Sequence, residues 1–236
     1  MTQAIVKEKV ELAVADRTRM AAYVARPEQG GPHPGLLLFQ EAFGVNHHIR
    51  GVSERFAAEG YVVIAPELFH RTAAPDFEGS YTDFPAMTPH VKAVTTKTVE
   101  ADIRSAYEWL RANAGVRANE ISSVGFCMGG RASFIANSLI PLHAAVSVYG
   151  GGIAPGLLDR ASELQAPSLF IWGGLDKHIT PEHRRAVTEA LSAQKKVYVN
   201  AEFSRADHGF FCDERASYEP RSARQAWALT LEFLRS

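Results

Sequence analysis

The run Gly125-Phe126-Cys127-Met128-Gly129-Gly130 constrains this chain more than any other feature. The apolar residues Ile121 to Val124 lead into it, and a helix-prone stretch from Arg131 to Leu139 leads out. This is the strand–turn–helix setting of a nucleophile elbow, G-x-S-x-G, with sulfur in place of oxygen. The glycines are required because the nucleophile sits on a sharp turn where neighbouring side chains would clash. A cysteine taken alone is more often a small buried hydrophobe. Between glycines, after a strand and at a helix N-terminus that favours its thiolate, it reads as a nucleophile.

Strand-like and helix-like segments alternate along the chain, the pattern of an α/β fold with a mostly parallel central sheet and helices on both faces. Apolar strands are expected at 35–39, 61–65, 121–125, 144–149, 168–172 and 196–203. Their continuous hydrophobicity suits burial on both faces. Segments 6–14 and 20–25 interleave polar residues and read as an edge hairpin. Asn46 caps a helix with Ile49, Val52 and Phe56 on one face, and Gly60 stops it. Val99, Ile103, Ala106 and Leu110 repeat the pattern. Thr180-Pro181 opens another helix, and Pro220 opens the last. Segment 66–97 keeps no clear period. It holds Phe69, Phe77, Tyr81 and Phe84 among prolines and is expected to form a lid or substrate wall. At 236 residues and 46% hydrophobic, the chain is expected to form one domain over 1–236.

A cysteine nucleophile needs a base, and the base needs an orienting acid. His208, one of nine histidines, follows the last expected strand and can reach back over the sheet edge. Asp176 lies in Gly173-Gly174-Leu175-Asp176, directly after a strand, where an aspartate often only caps a turn. Chain order favours the acid role, because Cys127, Asp176 and His208 follow the nucleophile–acid–histidine order of α/β-hydrolases. Asp207 is too near His208 in sequence to orient it easily. An oxyanion hole is best made of backbone N–H groups fixed before the reaction. Met128 follows the nucleophile, and Ala42 lies in the loop Gln40-Glu41-Ala42-Phe43-Gly44 after an expected strand, so their N–H groups are the candidates. Glu41 is the less obvious member. A carboxylate there is either a solvated loop residue or a partner placed to face Cys127.

Four motifs in order carry a resemblance: Gln40-Glu41-Ala42-Phe43-Gly44, Gly125-Phe126-Cys127-Met128-Gly129-Gly130, Gly173-Gly174-Leu175-Asp176 and Asp207-His208-Gly209-Phe210. Over nearly its whole length the chain resembles the dienelactone hydrolase (carboxymethylenebutenolidase) family of the α/β-hydrolase superfamily. The resemblance implies a Cys127–Asp176–His208 triad. It also implies that Glu41 pairs with the resting cysteine and helps to generate the thiolate, which protects an oxidisable thiol between turnovers.

Dienelactone-specific members hold the substrate carboxylate with two arginines, one in the irregular segment and one four residues after the catalytic histidine. The latter position is Cys212 here, which reads as a packing residue. Arg71 is the only arginine between Pro66 and Val99, and Arg215 lies farther on. Phe43, Arg71, Tyr81, Phe84, Phe210 and Arg215 are therefore the candidate substrate contacts. Arg215 reads more readily as a solvated or structural salt-bridge residue.

The near-neutral charge balance, formally −1, and the lack of a basic run argue against nucleic acid as a partner. The apolar runs are strand-sized, so no membrane span is expected. Residues 1–17 are charged and lack the apolar core of a signal peptide. With two cysteines and no C-x-x-C, a reducing cytoplasm is the simplest compartment. No metal motif, P-loop or dinucleotide fingerprint is present, so neither metal nor cofactor is expected. The expected partner is a small ester or lactone, bound by a monomer or small homo-oligomer. Lactone or ester hydrolysis through a thioester is the leading expectation. A broader carboxylesterase or thioesterase with the same triad is the alternative. A non-catalytic ligand-binding or redox-sensing protein on the same fold is the alternative of another class.

Overall fold

The computed structural model describes residues 4–236, so the first three residues of the charged N-terminal stretch lie outside it. The chain forms two compact units, Met1–Ser122 and Ser123–Ser236.

The first unit begins with the expected hairpin, β1 (Ile5–Ala13) antiparallel to β2 (Arg19–Pro27). β2 pairs antiparallel with β4 (Val62–Pro66), and β3 (His33–Phe39) pairs parallel with β4. The local order is β1-β2-β4-β3, followed by the start of β5 (Val116–Phe126). Only β1 is the exposed edge here, whereas β2 is largely buried because it has a partner on each side. Residues Leu36, Leu37, Leu38 and Phe39 are completely buried, as a strand covered on both faces requires. Helix α1 (His47–Ala58) is capped by the Asn46 side chain, which accepts from the Ile49 N–H at 3.2 Å. It buries Ile49, Val52 and Phe56 against β2 and β4. Helix α3 (Thr96–Ala112) buries Val99, Ile103, Ala106 and Leu110, as its period predicts.

Segment 66–97 contains a helix that the sequence pattern hides. Helix α2 (Phe84–Ala93) is capped by Asp83, has Pro85 in its first turn and carries Pro89 inside. Only Met87 of this helix is buried, so no apolar stripe marks it.

The second unit continues from β5 with parallel β6 (Ala145–Val148), β7 (Ser168–Gly173) and β8 (Tyr198–Phe203), in the order β5-β6-β7-β8. Helices α4 (Met128–Leu139), α5 (Pro181–Ala193) and α6 (Pro220–Arg235) complete it. Strand β8 corrects one expectation. It is an exposed edge, with Val199 41% and the preceding Val197 70% accessible, because it is last in the order and has one neighbour. Among the described residues no helix is long and apolar enough to cross a membrane.

Candidate active site

Cys127 stands between β5 and α4, at the N-cap position, with φ 56° and ψ −120°. Such a backbone costs of order 1–3 kcal/mol for a non-glycine residue and persists only when its surroundings over-determine it. Here the Cys127 N–H donates to the Val148 carbonyl at 3.0 Å, and the Cys127 carbonyl accepts from the Gly130 N–H at 2.9 Å. The glycine pattern has a direct cause. A Cβ on Gly125 would stand 1.9 Å from the Gly129 carbonyl oxygen, so the strand and the first turn of α4 meet only if residue 125 has no side chain. Met128 is the first residue of α4, the position from which its N–H is expected to serve as an oxyanion donor.

Asp176 and His208 are 32 residues apart, and the adjacency of β7 and β8 brings them together. The loops that follow these strands are laced by backbone bonds, Gly174 N–H to the Phe203 carbonyl and Leu175 N–H to the Ala206 carbonyl, both 2.9 Å. Gly173 allows this approach, because a Cβ there would lie 2.6 Å from the Ala206 carbonyl oxygen. Asp176 Oδ2 lies 2.7 Å from His208 Nδ1, and its Oδ1 accepts the N–H groups of His178 at 2.8 Å and Ile179 at 3.1 Å. Burial opposes the Asp176 charge, but the His208 partner and these two backbone donors outweigh it and hold the carboxyl below its usual range. Asp207 uses its carboxylate locally, accepting the His208 backbone N–H at 2.7 Å. It is Asp176 that takes the imidazole.

His208 is also hydrogen-bonded to Cys127. Nδ1 is taken by Asp176, so Nε2 is the nitrogen left for sulfur. Burial disfavours the imidazolium, but the bonds to Asp176 and Cys127 and the charges of both raise its pKa to about 10. The Tyr149 and His178 rings also face it, at 5.1 and 5.4 Å between centroids. Titration of the His208 ring by NMR is expected to show a midpoint near 10 in the wild type, and a lower one in Cys127→Ala, which loses one of the two partners. A midpoint unchanged by that substitution would contradict the arrangement. The linkage to stability follows in sign. The stabilisation from this cation is complete below the unfolded value of about 6.5 and is lost as pH rises through about 10.

Two candidate contacts lie in the same unit. Phe210 is fully buried, 5.5 Å from Tyr149 and 5.7 Å from Phe203 between ring centroids. It supports the histidine loop as packing rather than presenting a surface. The Arg215 guanidinium lies against the backbone of Gly209, next to His208. Cys212 is buried, as a packing residue should be.

In the first unit Glu41 is 1% exposed, which removes the solvated-loop reading. Ala42 and Phe43 are buried beside it. The Gln40 side chain donates to the Glu41 carbonyl at 3.2 Å and accepts from the Leu68 N–H at 2.9 Å, tying this loop to the end of β4. Phe43 meets Tyr81 edge-on at 4.6 Å and Phe84 at 6.3 Å. Tyr81 accepts at its hydroxyl from Asn46 at 2.7 Å, and Phe84 is 53% exposed. These three aromatic candidates therefore form one cluster.

Arg71 does not join them. Its guanidinium forks onto Asp102 at 2.8 and 2.9 Å and reaches Asp16 at 2.7 Å. Asp102 lies on the buried face of α3 with no exposure, and a carboxylate there needs a cation. Arg71→Ala is expected to lower unfolding stability in urea by about 3 kcal/mol and to leave KM for an ester unchanged. A raised KM at wild-type stability would return Arg71 to substrate binding.

Reasoning from sequence passed over Tyr149 and Arg184. Arg184 left a readable signal, because it shares the inward face of α5 with Val187 and Leu191 and is 7% exposed. Tyr149, completely buried with φ 38°, left none beyond its place after a strand.

Residues 20–236 match the model of the dienelactone hydrolase family. A Synechocystis protein named "Putative carboxymethylenebutenolidase" is 36% identical over 220 residues, 89% of this chain and 88% of its own length. A protein of the same name from Escherichia coli (strain K12) is 35% identical over 226 residues, 92% of this chain and 82% of its own. The crystal structure described as "Putative Dienelactone Hydrolase from Klebsiella pneumoniae" superposes with a TM-score of 0.90 at 33% identity, covering 99% of both chains. A Pyrococcus furiosus esterase, 17% identical with a TM-score of 0.72 over 98% of this chain and 92% of its own, shares the fold. The chain has the α/β-hydrolase fold and belongs to the dienelactone hydrolase family.

Proposed function

We propose that the protein hydrolyses lactone or ester bonds of small molecules by covalent catalysis at Cys127. The observation that carries this reading is the strained Cys127 elbow joined to His208, which Asp176 orients at 2.7 Å. The Cys127 thiolate forms a C–S bond to the substrate carbonyl carbon, and the carbonyl electron pair moves onto oxygen. The Met128 N–H stabilises that charge. Collapse breaks the C–O bond, and His208 gives its proton to the departing oxygen. Acylation removes the sulfur's charge, one of the causes that kept His208 protonated, so the ring is left neutral and able to act as a base. It takes a proton from water as the water oxygen attacks the thioester. The second collapse breaks the C–S bond and releases the acid and the thiolate.

Thiolate is itself a good leaving group, so the site suits substrates whose alkoxide or enolate departs easily. Enol lactones and aryl esters meet that condition, whereas simple amides do not. The family resemblance implies a part for Glu41 in the same reaction, and the loop position of Ala42 makes its N–H the second expected oxyanion donor. The position four residues after His208 is Cys212, and Arg71 is bound to Asp16 and Asp102. A substrate preference wider than dienelactones is therefore a second reading that the structure favours. Steady-state turnover of cis- and trans-dienelactone, p-nitrophenyl acetate and an acyl thioester by wild type and Cys127→Ala tests both. Cys127-dependent turnover of at least one class is expected. Turnover of none by folded, reduced protein would sink the reading.

A further inference from the structure

We propose that Arg184 is a positioning residue for catalysis, holding the loop that carries Asp176 at both of its ends. The loop runs from Gly173, the last residue of β7, to Ile179, the residue before the Thr180 cap of α5. Arg184 Nη1 donates to the Ile179 carbonyl at 2.8 Å and to the Gly173 carbonyl at 3.3 Å. Its Nε lies 3.2 Å from Glu202 Oε2 on β8, the strand that leads into the histidine loop. One side chain thus joins the start of the acid loop, its end and the neighbouring strand.

Burying a guanidinium is costly unless its N–H groups find acceptors. Arginine is otherwise an odd choice for the inward face of α5, where Val187 and Leu191 need no such partners. The acceptors it finds are the two carbonyls that bracket Asp176. The Glu202 side chain is 48% exposed, so water screens that ion pair and the carbonyl bonds dominate. Residues 174–178 lie between the two gripped carbonyls, and Asp176 adds its own bonds to the His178 and Ile179 N–H groups. The Ile179 peptide is gripped from both sides, its N–H by Asp176 and its carbonyl by Arg184. A shift of that peptide moves the carboxylate relative to His208.

The inference rests on the triad reading, and its test separates the two. Arg184→Lys keeps the charge but replaces Nη1, which holds both carbonyls, and Nε, which faces Glu202, with a single ammonium that cannot occupy both positions. Its kcat for an activated ester is expected to fall roughly tenfold with KM unchanged. The NMR titration of His208, measured without substrate, is expected to shift below that of the wild type. Wild-type kcat and a wild-type titration, with only a lowered melting temperature, would show Arg184 to be structural and overturn the proposal. Should Arg184→Lys fail to fold, Arg184→Gln carries the test, because it removes the grip on both carbonyls without leaving a charge buried. A lowered kcat and titration would support the proposal, and wild-type values of both would overturn it. Ester turnover that survives in Cys127→Ala would instead sink the triad reading and leave the His208 titration result standing by itself.

Discussion

Asp176→Asn is expected to cut kcat for an activated ester by about 10³- to 10⁴-fold, the scale seen when the acid of a catalytic triad becomes an amide. The amide oxygen can keep the bonds to the His178 and Ile179 N–H groups, so the loop should hold its shape. What changes is the edge facing His208. An amide nitrogen there would meet Nδ1 as a donor, which forces the ring proton onto Nε2. That tautomer cannot take a proton from water at the acyl-enzyme. The negative charge that supports the imidazolium is lost as well, so the His208 titration should also fall. The measurement is steady-state kcat beside urea unfolding. A folded Asp176→Asn enzyme that keeps a tenth or more of wild-type kcat would contradict the role assigned to this pair.

Gly125→Ala is the substitution with the largest expected effect on the elbow itself. Its methyl carbon would stand 1.9 Å from the Gly129 carbonyl oxygen and 2.3 Å from the carbon of the same group. Both are backbone atoms in the first turn of α4, so no side-chain rotation relieves the clash. The turn must open, which loosens the Cys127 bonds to Val148 and Gly130 that maintain its φ of 56°. A loss of about 3 kcal/mol or more in urea unfolding is expected, together with loss of ester turnover. A wild-type unfolding midpoint would contradict the close approach that explains this glycine.

The elbow was legible in the sequence because its constraint is local. Glycines, an apolar lead-in and a helix within about fifteen residues admit few other arrangements. The buried strands were legible for a related reason, since Leu36 to Phe39 have no polar face to expose. Strand β8 was misread because Val197 and Val199 look like core residues, and hydrophobicity does not record which strand ends a sheet. Helix α2 was missed because Pro85, Pro89 and a single buried methionine leave no helical period. The meeting of Asp176 with His208 depends on β7 lying beside β8. Chain order suggests that contact, but only the strand pairing produces it. Arg71 shows the opposite case. Its place in the irregular segment suggested a ligand, whereas a fully buried aspartate on α3, 31 residues away, decides where it points.

The most direct test of the account is to trap the acyl-enzyme. Wild-type protein is mixed with p-nitrophenyl acetate, quenched in acid within the first turnovers and digested for mass spectrometry. The account predicts an acetyl adduct on the peptide containing Cys127, absent from Cys127→Ala, which should also show no turnover above the uncatalysed rate. Turnover at the wild-type rate in Cys127→Ala, or an adduct confined to another residue, would contradict it.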